Sequence, residues 1–254
     1  MTGSQLSHVA MEIGIVLLSN GAETYRVDES MHRICMAMGA YNAEIFVLPT
    51  NIILGITIGN GEHITRTRRI HSRRIDLQKV ELINNLSRQV CYEEMSYSEI
   101  LTELHNINSA PPYHYYLQVL AFAFVSQMFT LFFGGNFQDS CIGFIIGFGI
   151  KLQMDFMARL EGNIFFINIV GGFIAAVIAL AASGLGLTSR MDAIIIGSIM
   201  TLVPGLSITN SIRDIIAGDY LSGLVKGVEA LLIGTGIATG VAIPLSLLSP
   251  FWGV

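Results

Sequence analysis

The stretch that decides the fold of this chain runs from Leu202 to Asp219 and reads LVPGLSITNSIRDIIAGD. It continues an apolar run that begins at Ala193, so the sequence predicts a membrane helix that contains Pro204 and Gly205. Hydrocarbon tolerates proline and glycine in a helix only where protein or a water-filled cavity covers the freed backbone groups. Polar side chains crowd the second half of the run: Ser207, Thr209, Asn210, Arg213 and Asp214. Such side chains at membrane depth are typical of the binding region of a transporter.

The composition divides the chain into two parts. Hydrophobic residues make up 52% of the 254 residues and charged residues only 13%, whereas a soluble domain usually carries about 25% charged residues. Residues 1–112 hold nine of the fourteen Lys and Arg residues. We therefore predict an α-helical integral membrane protein, with an N-terminal α+β cytoplasmic domain at 1–112 and a five-helix transmembrane transport domain at 113–254. The net charge of −5 argues against nucleic acid as a partner.

The first part has the periodicities of a small α+β domain. Apolar residues three and four apart predict helices, and alternating or β-branched residues predict strands. Gly59-Asn60-Gly61 predicts a hairpin turn, and Ser96-x-x-Glu99 has the pattern of a capping box. Pro111-Pro112 marks the predicted boundary. The predicted elements are helices at 6–18, 27–38 and 76–90, strands at 41–47, 52–58 and 63–70, and a helix after Ser96.

Two sets of charged residues in this part each allow two interpretations. Glu23 and Arg26 stand at a predicted helix start, where they serve either as a structural pair at the helix dipole or in catalysis or gating. The candidate gating motif is Asn20, Gly21, Glu23, Thr24 and Arg26. The basic cluster is either a solvated strand edge that discourages pairing or a contact for anionic lipid headgroups. Its members are Arg66, Arg68, Arg69, Arg73 and Arg74.

Five hydrophobic segments predict the membrane part, and each can reach across a core of about 30 Å. They are 115–133, 141–156, 164–183, 193–212 and 221–248. The second is short and borrows flanking residues, and the fifth is long enough for a strong tilt, a break at Pro244 or an interfacial tail. Small residues four apart, such as Gly143 and Gly147 or Gly236 and Gly240, predict close helix packing.

Charges predict orientation and proton coupling. With the first domain in the cytoplasm, four of the five later Lys and Arg residues lie on or near the cytoplasmic side, and only Arg190 lies outside. This predicts a multi-pass protein of the inner membrane whose N-terminus is cytoplasmic and whose C-terminus, with Trp252 at the interface, is outside. Lys226 and Glu229 are three residues apart and are expected to form an ion pair, whereas Asp139 and Asp155 are expected to be solvated. The candidates for proton coupling are Asp214, Asp219 and Glu229.

Five motifs resemble the threonine/serine exporter family, specifically the N-terminal half of its fused members. They are Asn20-Gly-Ala-Glu-Thr-Tyr-Arg26, Pro49-Thr50, Thr65-Arg66-x-Arg68-Arg69, Leu86-Ser87 and Val203-Pro-Gly-x3-Thr-Asn-x-Ile-Arg-Asp-x2-Ala-Gly-Asp219. The resemblance implies a cytoplasmic domain before a five-span bundle that exports small carboxylates with the proton gradient. Fused members carry a second membrane half, and this sequence stops at Val254. It therefore resembles the larger subunit of the split form, which works with a small membrane partner and has been associated with succinate export.

These observations favour a subunit of a proton-coupled secondary transporter that exports small carboxylates, either threonine and serine or a dicarboxylate such as succinate. Arg213 would pair with the substrate carboxylate, and Pro204, Gly205, Thr209 and Asn210 would hold its polar remainder. The expected partners are the small second subunit, the lipid bilayer and, alternatively, a second copy of the chain.

No enzyme activity, cofactor or metal is expected, because the three cysteines lack metal or redox spacing and no Ser/Cys/His constellation is present. The alternative is a membrane-anchored sensor or regulator whose soluble domain is the working part. The polar residues at 204–219 argue against it, because an anchor needs none.

Overall fold

The computed structural model describes residues 1–71, 73–188 and 190–252, with side chains through residue 247. The first part contains α1 (Gly3–Ser19), α2 (Thr24–Ala37), β1 (Ala40–Leu48), β2 (Asn51–Ile58), β3 (His63–Arg69), α3 (Leu77–Tyr92) and α4 (Tyr97–Ser109). The second part contains α5 (Tyr115–Phe132), α6 (Phe137–Arg159), α7 (Ile164–Gly184), α8 (Met191–Ile199), α9 (Gly205–Ile216) and α10 (Tyr220–Trp252).

These elements form two compact units. The first consists of 1–111 together with 208–227, and the second of 112–207 together with the residues from 228 onward. The two-domain division predicted from the sequence differs from these units in one respect: most of α9 and the first two turns of α10 group with the N-terminal residues. The polar half of the 202–219 stretch therefore belongs to the first unit.

The local elements predicted for the N-terminal residues are confirmed. The three strands form an antiparallel sheet in the order β1-β2-β3. In the pairing of β2 with β3, Ile52 lies opposite Arg68 and Ile56 lies opposite Ile64. Ser96 and Glu99 form the predicted capping box at the start of α4. Thr2 and Gln5 form a second one at the start of α1, which was not predicted.

The core of the first unit lies between the helices and the central strand. Fully buried side chains of α1 and α2 pack with alternate residues of β2, as the period of two in that strand requires. They include Leu6, Ile13, Met31, Ile34, Ile52 and Leu54.

Four helices of the described residues are long and apolar enough to cross a membrane on their own. They are α5, α6, α7 and the part of α10 up to Leu247, and α10 continues through Pro244 without a break. The prediction of five spans therefore stays a prediction. The side chain of Trp252, for which we predict an interfacial position, lies outside the described side chains. Residues 253–254, at the C-terminal end, lie outside the described residues.

The segment 193–212 is not one helix, so that prediction is wrong. α8 ends at Ile199 and α9 begins at Gly205, and the Leu202 amide donates to the Ile199 carbonyl at 2.8 Å in a tight turn between them. Pro204 lies outside both helices because proline has no amide hydrogen and its ring drives the preceding residue, Val203, out of the helical region. The stretch thus consists of two short helices joined by a bend.

A second correction concerns Asp139, which is fully buried rather than solvated. α6 begins earlier than expected, at Phe137, and Asn136 and Asp139 cap it reciprocally. Thr188 donates a further hydrogen bond to the Asp139 carboxylate at 2.5 Å. Asp155, expected in solvent as well, is half-buried and pairs with Lys151 at 2.8 Å.

The small residues of the second unit lie where backbones meet, as predicted. A side chain at Gly147 would collide with Ser126 and Ala123 of α5, and one at Gly240 would collide with the carbonyl of Ile169 in α7. Ser126 donates to the Gly143 carbonyl at 2.6 Å, which adds a polar contact to the same close approach.

Candidate functional site

The site begins at the sharp turn between α1 and α2. Gly21 adopts a φ of +96°, a left-handed conformation that glycine adopts without strain, and α2 then begins at Thr24. Glu23 is the N-cap residue of α2, but its side chain makes no capping hydrogen bond. The first amides of a helix have no partner within the helix, so the start of α2 requires an acceptor from elsewhere.

Asp214 of α9 supplies that acceptor. Its Oδ1 accepts from the Thr24 amide at 3.2 Å, and its Oδ2 accepts from the Thr24 hydroxyl at 3.0 Å. The carboxylate is fully buried, and a negative charge at a helix N-terminus also interacts favourably with the helix dipole. A residue 190 positions later in the chain therefore caps α2.

Lys226 of α10 completes a buried triad with Thr24 and Asp214. Its Nζ donates to Asp214 Oδ2 at 2.7 Å and to Thr24 Oγ1 at 2.8 Å, and Lys226 is only 7% exposed. An ammonium and a carboxylate removed from water are strongly destabilising unless they are paired and hydrogen-bonded. Here the ammonium, the carboxylate and the Thr24 hydroxyl are each hydrogen-bonded to the other two groups.

Glu23 and Arg213 form an ion pair, the exposed pair, beside the buried triad. Arg213 donates from its Nη1 to Glu23 Oε1, while the Arg26 Nε lies 3.5 Å from the other oxygen of Glu23. The Arg213 side chain is 54% exposed, so solvent reaches its guanidinium. One turn earlier in α9, Asn210 donates to the Gly21 carbonyl at 3.1 Å. Asn210, Arg213 and Asp214 thus lie on one helix face and meet the candidate gating motif.

Close contacts fix α9 and the start of α10 within the first unit. Ser211 donates to the Gly223 carbonyl at 2.6 Å, and a side chain at Gly223 would lie 2.8 Å from the Ser211 carbonyl oxygen. Ser222 donates to the Val47 carbonyl of β1 at 3.2 Å. These bonds position Asp214 and Lys226 on neighbouring helices at the start of α2.

Two further carboxyls give this unit a capacity to hold protons. Burial raises the pKa of Asp219, the neighbouring Asp214 raises it further, and Lys226 opposes the shift. Burial also raises the pKa of Asp28 on α2, with Asp219 adding to the effect and His32 opposing it. Both groups lie outside the candidate spans and are more readily protonated than an ordinary aspartate.

The predicted site residues are divided between the two units. Asn20, Gly21, Glu23, Thr24 and Arg26 lie in the first unit with Thr209, Asn210, Arg213, Asp214 and Asp219. Pro204, Gly205 and Glu229 belong to the second unit. The sequence analysis paired Lys226 with Glu229 on the same helix and missed Asp214 as its partner. The available signal was a lone lysine between Gly223 and Gly227.

Within the residues that the structure describes, no group of three or more His, Cys, Asp or Glu side chains could hold a metal ion. The chemistry available in the first unit is instead that of ion pairing and proton binding. A guanidinium accessible to a carboxylate stands next to a buried lysine–aspartate pair.

Comparisons with known proteins match nearly the whole chain. A family model described as putative threonine/serine exporter covers residues 8–248. The threonine/serine exporter of Corynebacterium glutamicum is 28% identical over 252 residues, which cover 94% of this chain and 50% of that protein. The probable succinate transporter subunit YjjP of Escherichia coli (strain K12) is 24% identical over 252 residues, which cover 98% of this chain and 95% of that subunit.

The probable threonine/serine exporter of Mycobacterium tuberculosis is 21% identical over 241 residues, which cover 93% of this chain and 45% of that protein. The chain thus spans about half the length of these exporters and nearly all of the succinate transporter subunit. No solved structure matches the chain.

The matched range includes the candidate gating motif and the whole 202–219 stretch. The relatives' names describe transport rather than catalysis, and the apolar helices α5, α6, α7 and α10 agree with a membrane protein. The resemblance found in the motifs is confirmed, and the chain belongs to the putative threonine/serine exporter family.

Proposed function

We propose that this chain is a subunit of a proton-coupled secondary transporter that exports small carboxylates across the inner membrane. The observation that carries the proposal is the meeting of the gating motif with Asn210, Arg213 and Asp214 of α9. The relatives' names offer two substrate classes, threonine with serine and succinate, and each of these molecules presents a carboxylate.

Arg213 is the proposed carboxylate anchor. Its guanidinium is planar, always charged and half exposed, so a second carboxylate can reach it. The substrate would compete with Glu23 for this group. Displacement of the Glu23 carboxylate would break the bond between α9 and the residue before α2 and act as the first step of opening. Thr209 and Asn210, one turn earlier in α9, would contact the rest of the substrate.

The buried triad is the proposed gate that responds to the proton. Asp219 would receive the proton, since burial and the charge of Asp214 raise its pKa. Transfer of that proton from Asp219 to Asp214 would remove the counter-charge of Lys226 and weaken the cap of α2 together. Glu229, in the second unit, is the alternative proton carrier.

The proposed orientation keeps the N-terminus in the cytoplasm and the C-terminus outside. It requires the α8–α9 segment to cross together with α5, α6, α7 and α10, whereas the four long helices alone would return the C-terminus to the cytoplasm. We expect a phosphatase fused after Val254 to be active in the periplasm. A fusion with cytoplasmic activity only would contradict the orientation and the fifth crossing.

The transport proposal is tested in proteoliposomes that contain the chain together with its proposed partner, a small membrane protein. We expect flux of labelled succinate or threonine that depends on an imposed pH gradient and is absent when either protein is omitted. Arg33→Gln is the matched control for the Arg213 variants in this assay, because this exposed arginine of α2 pairs with Glu29 outside the site. Absence of gradient-driven flux of both substrates would contradict the proposal, and full flux from the chain alone would contradict the subunit arrangement.

A further inference from the structure

A cleft of about 420 Å³ opens along α1 in the first unit, apart from the exposed pair and the buried triad. Its volume falls within the range of small-molecule sites. One face of α1 lines it, together with residues that precede α3 and the end of α4. The polar lining residues are Glu12, Ser19, Asn20, Arg73, Arg74 and Asn108.

Asn20 brings an unsatisfied acceptor to this cleft. The residue is 5% exposed, and its Nδ2 donates to the Val16 carbonyl at 2.7 Å, so the orientation of the amide is determined. Its Oδ1 is buried and has no hydrogen-bond donor within the described part of the chain. Buried acceptors of this kind are rare in folded proteins because they lose their water without a replacement. A ligand that donates a hydrogen bond would supply the missing partner.

Charges of both signs accompany this acceptor. Arg73 and Arg74 place two guanidinium groups in the lining, and the amide of Arg74 donates to the Ser19 carbonyl at 2.9 Å, which holds the segment against α1. Glu12 contributes a carboxylate whose pairs with His8 and Arg68 are long, at 3.7 and 3.9 Å. A plain anion would be repelled by Glu12, and a plain cation would be repelled by the two arginines.

We propose that this cleft binds a free α-amino acid as its zwitterion. The α-carboxylate would lie against Arg73 and Arg74, and the α-ammonium would donate to Asn20 Oδ1 and Glu12. Ile15 and Val16 provide an apolar wall for a small side chain. The site is separate from Arg213, and the inference holds whether the chain transports amino acids or dicarboxylates. Because Asn20 adjoins Gly21, whose carbonyl accepts from Asn210, an occupied cleft would also stabilise the turn before α2.

The test is calorimetric titration of the full-length protein in detergent with L-threonine, succinate and butylamine. All titrations use the Arg213→Gln background, so that the proposed transport site does not contribute. We expect saturable binding of L-threonine only, weakened about ten- to a hundredfold by Arg74→Gln and by Glu12→Gln. Arg69→Gln removes the same charge from the same basic cluster but lies outside the cleft, and it should leave binding unchanged.

Arg74→Lys keeps the charge and guards against a folding defect, and it should bind more tightly than Arg74→Gln. Succinate binding as tight as that of L-threonine would overturn the proposal in favour of an anion site. Absence of L-threonine binding in the Arg213→Gln background, or equal weakening by Arg69→Gln, would also overturn it. None of these outcomes depends on transport activity.

Discussion

Replacing Asp214 by leucine is expected to destabilise the protein by about 3–5 kcal/mol, because the ammonium of Lys226 then stays buried without a counter-charge. The amide and the hydroxyl of Thr24 lose their acceptor in the same step. Lys226→Met should have an effect of similar size, since it leaves the Asp214 carboxylate unneutralised. The double variant Asp214→Leu/Lys226→Met should regain the part of the loss that comes from the unpaired charge, because apolar residues of similar volume often replace a buried pair without penalty. The part that comes from the lost acceptor of Thr24 should remain. Denaturant unfolding followed by circular dichroism measures all three.

The matched control is Asp192→Leu. Asp192 also pairs with a basic residue, Arg190, but its side chain is 65% exposed, and an exposed pair contributes little to stability. If Asp214→Leu unfolded at the same denaturant concentration as Asp192→Leu and the unchanged protein, the structural importance of the buried triad would be refuted.

Arg213→Gln is expected to raise the substrate concentration for half-maximal flux about ten- to a hundredfold, the equivalent of roughly 1.5–3 kcal/mol for a lost charge-assisted hydrogen bond. Arg213→Lys keeps the charge but loses the planar fork, so its effect should be smaller. Glu23→Gln should act in the opposite direction, because it removes the carboxylate that competes with the substrate for Arg213. Flux measured against substrate concentration gives the three values.

Arg33→Gln serves as the control for the loss of a positive charge from the same unit. The anchor assignment would be wrong if Arg213→Lys and Arg213→Gln inserted normally and transported with unchanged apparent affinity. A fall in apparent affinity for Glu23→Gln would instead assign the exposed pair to structure alone.

Local sequence signals predicted much of the N-terminal fold. Gly59-Asn60-Gly61 indicated the β2–β3 turn, and Gly61 does adopt a φ of +83°. Ser96 and Glu99 indicated the start of α4. These features were predictable because capping and turn geometry depend on residues only a few positions apart. The small-residue spacing of Gly236 and Gly240 likewise indicated a packing face.

Contacts over long sequence separations were not predictable in the same way. The pairing of Asp214 with Lys226 and Thr24 depends on α9, α10 and α2 meeting, and no periodicity encodes that meeting. The sequence placed Pro204 inside a helix, because hydropathy averages over a window and does not register a bend. It also placed Asp139 in solvent, since only the fold brings Thr188 to its carboxylate.

The measurement that tests the central claim most directly is the flux supported by the double variant Asp214→Leu/Lys226→Met, reconstituted with the proposed small partner. The buried triad is proposed to act as a proton-responsive gate, and this variant keeps a packed interior while it removes both charges. We predict that it unfolds at a higher denaturant concentration than either single variant and shows no flux driven by a pH gradient. Flux at the unchanged rate, with the same dependence on the gradient, would contradict the account.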